Sequence, residues 1–232
     1  MMFDNINATN FGYSSSFYIN EFEDILRGII VCYNCIISSE VALPNNENEI
    51  RDEMLKDYLK VDLFKKSHFN LASYHFDYET IENTGRADIR ILPINPYIND
   101  EAYYIIECKR LNNQNLSGKT GLNAEYVKNG ICRFVIEHYS SYYGINGMIG
   151  FVVDDLITKT NIENLNSFLN QNLINDKGIT VNANSIQQIS SIGLNENFKY
   201  SYISKHLSCN QKEIVLYHLM FDFSKNINHE SN

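Results

Sequence analysis

Several features that would assign this chain to a common class of protein are missing from its sequence. The 232 residues include only 3 prolines, which argues against long proline-rich linkers. The longest apolar stretch near the N-terminus, residues 28–37, is interrupted by Asn34 and is too short for a membrane span. The opening MMFDNINATN lacks the basic region of a secretion signal. We therefore expect a cytoplasmic protein without membrane association.

The cysteines give no sign of a disulfide framework or a zinc site. There are 5 of them, an odd number, and most lie in apolar runs. Cys32 and Cys35 have CxxC spacing, but a zinc site would need a second pair of ligands that the sequence does not offer. The surrounding VCYNCII is typical of a buried helix. Packing is therefore the favoured interpretation, and a reducing compartment suits it.

Charge is distributed unevenly along the chain. The net charge of −9 argues against a protein that coats nucleic acid. Residues 1–62 carry eleven acidic and four basic side chains, which would suit a protein partner. Residues 109–133 reverse this balance, with five basic side chains against Glu125 alone. An enzyme that contacts nucleic acid at one place is compatible with this pattern.

Apolar periodicity predicts alternating helices and strands. Helices are expected over residues 18–39, 122–143 and 161–174, and strands over 73–81, 86–94, 102–110, 147–153, 199–207 and 213–223. A further helix follows Pro44, with Asn48 as its cap and with Ile50 and Met54 on its apolar face. Short turns join the first three strands, which indicates an antiparallel meander. The order of elements predicts a mixed α/β fold with a central sheet.

The stretch YYIIECKRL, residues 103–111, runs from an apolar strand into charged residues. Side chains two positions apart share one side of a strand, so Glu107 and Lys109 project together and Cys108 points the other way. An antiparallel neighbour can bring Asp88 opposite Glu107. This group is either an ordinary ion pair at a strand end or an active site, and the presence of Asp88 favours the active site.

The chemistry of such a group is specific. Two carboxylates that lie close together repel, and one takes up a proton unless a cation lies between them. Mg²⁺ binds through one or two carboxylates and keeps several waters. One of those waters becomes acidic enough to attack a phosphodiester, and a neighbouring ammonium can orient it or neutralise charge on phosphorus. The pattern therefore predicts metal-dependent phosphodiester hydrolysis.

The segments GRADIRI and YYIIECKRL resemble the core of the PD-(D/E)XK nuclease superfamily, the restriction-endonuclease-like enzymes. The family signature is an Asp on one strand and Glu-x-Lys on the next, and it maps onto Asp88, Glu107 and Lys109. Ala87 stands where the family usually has proline. Over residues 45–153, the resemblance implies a restriction-endonuclease-like αβββαβ core, with a mixed sheet flanked by helices. It also implies Mg²⁺, replaceable by Mn²⁺, on Asp88, Glu107 and the Cys108 backbone carbonyl.

The resemblance further implies an acidic ligand from the helix before the meander. Glu49 and Glu53 are the candidates, with Glu49 slightly favoured, and a solvated helix face is the alternative for both. The helix after the third strand is expected to face nucleic acid, although its basic residues can instead pair with acids along the helix. The candidate contacts to nucleic acid are Arg110, Lys119, Lys128 and Arg133.

These observations predict a Mg²⁺-dependent nuclease, with DNA favoured over RNA as its substrate. We expect one domain over residues 1–232, made of an N-terminal helical segment (1–44), the catalytic core (45–153) and C-terminal helix and strands (154–232). By resemblance, a homodimer and a role in bacterial defence are compatible with this. The alternatives are a catalytically silent binding or scaffold module with a protein partner, and a hydrolase of another phosphate ester.

Overall fold

The computed structural model describes residues 15–69, 71–82, 85–94, 103–139 and 144–228. Its α-helices are α1 (Ser15–Ser38), α2 (Glu47–Met54), α3 (Asp62–Ser67), α4 (Leu122–Tyr126), α5 (Cys132–Val135) and α6 (Thr158–Phe168). A π-helical turn over Leu55–Leu59 extends α2, another over Val127–Ile131 joins α4 to α5, and a 3-10 turn covers Leu71–Ser73. Each helix in the described ranges is too short or too polar to cross a bilayer.

Seven strands form one mixed sheet. The strands of the described residues, including two outside this sheet, are β1 (Tyr74–Glu82), β2 (Gly85–Pro93), β3 (Tyr104–Leu111), β4 (Ile145–Val152), β5 (Leu173–Ile174), β6 (Thr180–Val181), β7 (Ser185–Ser191), β8 (Ser201–Leu207) and β9 (Glu213–Asp222). The sheet order is β1-β2-β3-β4-β9-β8-β7, and β5 pairs only with β6. The first three strands are antiparallel, β4 is parallel to β3 and β9, and β8 and β7 are antiparallel again. The predictions of a meander and of a mixed α/β fold are confirmed.

Helix α1 packs against one face of the sheet. Its apolar residues recur every three or four positions, which places Phe22 and Ile25 on one side of the helix. They join a buried cluster that contains Tyr104 and Cys108 of β3. The Phe22 ring stacks on the Tyr104 ring with 4.8 Å between centroids. Cys108 therefore lies on the packed side of β3, as the alternation of the strand predicts.

Helices α4, α5 and α6 pack against the opposite face, in a second buried cluster. The helix predicted over 122–143 is shorter than expected, because α5 ends at Val135 and a π turn interrupts it; residues 140–143 lie outside the described residues. Gly130 lies in that turn, where a Cβ would stand 2.6 Å from Met148 Cε and 3.4 Å from Lys109 Cγ. The absence of a side chain at Gly130 thus allows the turn to lie directly over Lys109.

The sequence pattern did not predict α3, β7 or the β5–β6 hairpin. Strand β7 is the last strand of the sheet and Ile189 is its one buried residue, so its alternation is weak. The helix predicted over 161–174 ends at Phe168. Leu173 and Ile174, which would extend its apolar pattern, pair with β6 instead. Tertiary pairing therefore overrides local periodicity at this point.

A chain of hydrogen bonds is buried between the sheet and α4. Tyr126 Oη lies 2.8 Å from His218 Nδ1, and Ser204 Oγ lies 2.7 Å from Nε2 of both His218 and His206. His206 Nδ1 donates to the Ala183 carbonyl at 2.8 Å, so its Nε2 accepts from Ser204 when the ring is neutral. Ser204 then accepts from His218 Nε2–H, and Tyr126 donates to His218 Nδ1. Every donor has an acceptor when both imidazoles are neutral.

Acid is expected to destabilise the fold through these two histidines. Burial lowers the pKa of His206 to about 4, and burial together with His206 lowers the pKa of His218 to about 3. An unfolded histidine takes up its proton near pH 6.5, so below that pH the unfolded state binds protons that the folded state excludes. The stabilisation present above about pH 6.5 is then lost as the pH falls toward the folded pKa values, by up to about 1.4 kcal/mol per histidine and pH unit.

Urea denaturation at pH 7 and pH 5 measures this pH dependence. The His218→Gln variant should lose less stability between the two pH values than the wild type, whatever its stability at pH 7. His75→Gln is the matched control, since the His75 side chain is 58% exposed and lies outside the buried chain. Equal pH dependence in the wild type and His218→Gln would contradict the account.

Candidate active site

Strands β2 and β3 separate at Asp88. Their pairing ends at Ile89 and Ile106, so Asp88 and Glu107 are the next opposing positions. Asp88 Oδ2 accepts a hydrogen bond from the Cys108 backbone N–H at 2.8 Å. The carboxylate thus occupies the gap where the next pair of backbone hydrogen bonds would form. The register therefore places Asp88 opposite Glu107, as the sequence predicts.

The ammonium of Lys109 lies in the middle of four oxygen atoms. Its Nζ is 2.8 Å from Glu107 Oε1, 3.0 Å from Glu47 Oε1 and 2.7 Å from the Cys108 carbonyl oxygen. Asp88 Oδ2 is farther away, at 3.8 Å. Helix α2, strand β2 and strand β3 therefore contribute to one site. Asp88, Glu107 and Lys109, singled out from the sequence, lie together in it.

The acid that α2 contributes is Glu47, and neither Glu49 nor Glu53 was observed in this position. Glu47 also accepts from the Arg110 backbone N–H through Oε2, at 3.0 Å. Glu49 is two positions and Glu53 six positions from Glu47, which turns them by about 200° and about 240° around the helix, so both face away from Glu47. They line a surface depression with other charged residues of α2 and of the π turn that extends it. The structure therefore brings Glu47 to this site, and Glu49 and Glu53 lie outside it.

The start of α2 explains why Glu47 projects toward the sheet. Asn46, not the expected Asn48, is the N-cap, and its side chain accepts from the backbone N–H of Asn48 and Glu49. Glu47 is therefore the first residue of the helix. It precedes the buried Ile50 by three positions and so shares its side of the helix. That spacing was the sequence signal that could have identified Glu47.

Glu107 is completely buried and has two further partners. Arg133 Nη1 donates to its Oε1 at 2.6 Å, and the Tyr139 hydroxyl donates to its Oε2 at 2.5 Å. Burial raises the pKa of Glu107 to about 7, with Asp88 adding to the effect, while Lys109 and Arg133 act in the opposite direction. Burial alone would lower the pKa of Lys109, but the carboxylates of Glu107, Asp88 and Glu47 hold it above its usual value.

Arg51 is a member of the site that the sequence reasoning missed. Its side chain is only 2% exposed and donates to Asp88 Oδ1 at 3.3 Å, to Glu79 Oε1 at 3.3 Å and to Asp52 Oδ1 at 2.8 Å. Arg51 follows Glu47 by one helical turn, which places both on the same side of α2. We define the carboxylate cluster as the carboxylates and cations Glu47, Asp88, Glu107, Arg51, Lys109 and Arg133. Three acids and three cations thus face one another in it.

The residues expected to contact nucleic acid are placed differently from one another. Arg133 reaches the carboxylate cluster through Glu107. Arg110 Nη1 donates to the backbone and side-chain oxygens of Asn45, at 2.6 and 2.7 Å, and so joins β3 to the start of α2. Lys128 pairs with Glu125 at 2.7 Å, the helical alternative considered for it. Lys119 lies exposed in the segment after β3. The structure therefore brings the side chain of one of the four, Arg133, to the cluster, and Arg110 contacts it through its backbone N–H.

The donor atoms of the cluster fit Mg²⁺ in their chemistry. Carboxylate and carbonyl oxygens are the hard ligands that this ion prefers, and it uses only one or two carboxylates. Asp88, Glu107 and the Cys108 carbonyl provide such a set, and the ammonium of Lys109 is a cation that these oxygens already surround. Within the described residues, no group of three or more His, Cys, Asp and Glu side chains is arranged to hold a metal by itself.

Three acids of α2, Glu47, Glu49 and Glu53, are expected to differ in their effect on metal binding when each is replaced by glutamine. We expect Glu47→Gln to weaken Mn²⁺ or Mg²⁺ binding about 10- to 100-fold, because Lys109 loses an ionic partner that holds it in place. Glu49→Gln and Glu53→Gln should bind the metal as the wild type does. Calorimetric titration of the three variants measures this, and a larger loss in Glu49→Gln or Glu53→Gln would contradict the assignment.

Comparison with known proteins adds no relative from which a function can be transferred. No family model, no curated protein and no solved structure matches the chain. A functional assignment therefore depends on the chemistry of the carboxylate cluster.

Proposed function

We propose that this protein is a metal-dependent nuclease that hydrolyses phosphodiester bonds, with DNA favoured over RNA. The observation that carries the proposal is the meeting of Asp88, Glu107 and Lys109 where β2 and β3 separate. A buried cluster of this composition is costly to maintain, because each charge must be taken out of water. Carboxylates whose pKa values are shifted by burial and by neighbouring charges are frequent at functional sites.

The order of elements around the cluster supports the same proposal. Helix α2 precedes the meander β1-β2-β3, and α4–α5 then leads to the parallel strand β4. This order corresponds to the αβββαβ core that the resemblance implies. The helical segment after β3 carries Arg133 to the cluster, so an element expected to face nucleic acid also contacts a proposed catalytic residue. We therefore propose the restriction-endonuclease-like core as the finer description of the fold.

Each residue of the cluster has a role in this proposal. Asp88, Glu107 and the Cys108 carbonyl would hold Mg²⁺ or Mn²⁺, which supplies an acidified water and charge neutralisation when bound. Lys109 places a positive charge where the phosphate would gain negative charge in the transition state. Glu47 orients Lys109, and Arg133 and Tyr139 orient Glu107. The Asp88 side chain is fixed from both sides by Arg51 and the Cys108 N–H.

A catalytically silent binding or scaffold module is the second candidate. The observation that favours it is that the cations and acids of the carboxylate cluster are paired with one another. Such a cluster can stabilise a fold without binding a metal. The two candidates differ in whether cleavage depends on metal and on Asp88.

The test is incubation of the protein with plasmid, linear duplex DNA, single-stranded DNA and RNA, with Mg²⁺, Mn²⁺ or a chelator. We expect cleavage of DNA that requires the metal and stops in the chelator. A small phosphodiester such as bis(p-nitrophenyl) phosphate, included in the series, identifies a hydrolase of another phosphate ester. Failure to cleave any nucleic acid with either metal would refute the nuclease proposal, and failure on the small phosphodiester as well would leave the silent module.

A further inference from the structure

A small basic pocket lies beside the carboxylate cluster, on the far side of Arg133. The pocket has a volume of about 150 Å³, and it is formed between the end of the α4–α5 segment and the turn of the β5–β6 hairpin. We call it the hairpin pocket. Its lining residues include Lys128, Arg133, His138, Asp176 and Lys177.

The hairpin pocket is built by a turn that is itself well anchored. Asn175 Oδ1 accepts from the backbone N–H of Lys177 and of Ile179, at 3.0 and 2.9 Å, and so closes the turn. The Asp176 N–H donates to Asn129 Oδ1 in the π turn, at 3.3 Å. The turn is thereby attached to the helical segment that carries Arg133. Because these backbone donors are already used, a ligand would be held by the side chains.

Cations outnumber acids among the residues that line the pocket. Three of its lining residues are cationic, namely Lys128, Arg133 and Lys177, while Asp176 is its one acid. Arg133 Nη2 lies 3.9 Å from Asp176 Oδ2, a weak contact, and within the described ranges no carboxylate forms a salt bridge with Lys177. The pKa of His138 is lowered by burial first and then by Arg133 and Lys177. A group with negative charge would therefore be attracted to the pocket.

Size and position narrow the class of ligand. Sites for small molecules usually measure about 300–1,000 Å³, so a pocket of about 150 Å³ is too small for a nucleoside and suits a single phosphate group. Arg133 also joins the pocket to the proposed catalytic site, because its Nη1 donates a hydrogen bond to Glu107 Oε1 at 2.6 Å. One guanidinium thus contacts both sites.

We propose that the hairpin pocket binds one phosphate group of the nucleic acid strand, next to the phosphate that is cleaved. This proposal rests on the proposed nuclease function for the identity of the strand, but binding of phosphate itself does not require cleavage. Lys177 is the residue added to the expected nucleic-acid contacts. Lys128 and Arg133, which also pair with Glu125 and Glu107, are the other cations of the lining. The phosphate is either an internal phosphate of the strand or a terminal 5′-phosphate.

Titration of inorganic phosphate into the full chain, without metal and nucleic acid, tests the pocket separately from catalysis. Ile136 and Ile179 line it and are 40% and 54% exposed, so their methyl NMR signals report its occupancy. We expect saturable shifts of both signals, and about tenfold weaker binding in Lys177→Gln, as loss of one charge-assisted hydrogen bond predicts. Lys199→Gln is the matched control, an exposed lysine between β7 and β8.

Three results would overturn the proposal. The first is the absence of saturable shifts in the wild type, and the second is equal phosphate binding in Lys177→Gln and the wild type. The third is an equal response to sodium chloride at the same ionic strength, which would indicate screening of charge rather than binding. Any of them can occur with normal nuclease activity, and saturable binding can occur in a protein without activity, so the two proposals fail separately.

Oligonucleotides distinguish the two sources of the phosphate. A single-stranded oligonucleotide is titrated in chelator, once with a 5′-phosphate and once with a 5′-hydroxyl. A 5′-phosphate that shifts the Ile179 signal at about tenfold lower concentration identifies the terminal group, and equal titrations identify an internal phosphate. If neither oligonucleotide shifts the Ile136 and Ile179 signals in a Lys177-dependent way, the proposal is wrong.

Discussion

Replacing Lys109 with methionine is expected to remove most of the turnover and to destabilise the fold in a way that Mg²⁺ reverses. Methionine keeps an unbranched apolar stem but lacks the ammonium that lies 2.8 Å from Glu107 and 3.0 Å from Glu47. Loss of one side of a buried ion pair costs about 3–5 kcal/mol, because the remaining charges stay buried without a partner. Cleavage should fall at least about a hundredfold, as for loss of a group that stabilises transition-state charge.

The reversal by metal is the more specific part of this expectation. A divalent cation held by the same carboxylates replaces the missing charge, so Mg²⁺ should stabilise Lys109→Met more than it stabilises the wild type. Urea denaturation with Mg²⁺ and with chelator measures the difference, and single-turnover cleavage measures the activity. Normal cleavage by Lys109→Met would remove Lys109 from the catalytic group.

Lys65→Met is the matched control, because Lys65 is a second lysine that is buried. Its Nζ has two long contacts: it lies 3.5 Å from the carboxylate of Asp62, which is 79% exposed, and donates to the Tyr74 carbonyl at 3.5 Å. An ion pair with one exposed partner contributes about 0–1 kcal/mol, so this variant should be close to the wild type in stability. It should also show no additional stabilisation by Mg²⁺. An equal effect of Mg²⁺ on both variants would point to metal binding elsewhere on the protein.

The parts of the site that the sequence predicted are those that follow from strand geometry. Alternation along β3 places Glu107 and Lys109 on one side and Cys108 on the other, and both placements are confirmed. The antiparallel meander then determines that Asp88 is opposite Glu107. These relations depend on neighbours along one strand or across one pair. Local patterns carry enough information to predict them.

The missed parts of the site depend on contacts between distant elements. Arg133 and Tyr139 reach Glu107 from a segment whose π turn changes the direction of its side chains, and periodicity assumes a regular α-helix. Glu47 was missed for a different reason, since its spacing from Ile50 was visible in the sequence. An acid at the start of a helix resembles an ordinary N-terminal charge, favourable to the helix in any case. Its contacts with Lys109 and with the Arg110 N–H distinguish it from such a charge.

The Asp88→Asn variant is expected to keep the fold and to lose metal-dependent cleavage. The substitution preserves the shape of the side chain. It also keeps an oxygen that can accept from the Cys108 N–H, which donates to Asp88 Oδ2 at 2.8 Å in the wild type. It removes one of the two carboxylate charges proposed to hold the metal. Loss of several kcal/mol of charge stabilisation corresponds to at least about a hundredfold in rate. Affinity for Mn²⁺, measured by calorimetry, should fall together with the rate.

Asp77→Asn provides the control for this variant and decides between the two candidate functions. Asp77 lies on the neighbouring strand β1 and pairs with Arg90 at 3.2 Å, so it also has an arginine partner but is outside the carboxylate cluster. A nuclease should lose cleavage and Mn²⁺ affinity in Asp88→Asn and keep both in Asp77→Asn. In a silent module, Asp88 serves only the fold, so its replacement changes the urea midpoint while the wild type and both variants bind no metal. Metal-dependent cleavage that Asp88→Asn removes therefore excludes the silent module.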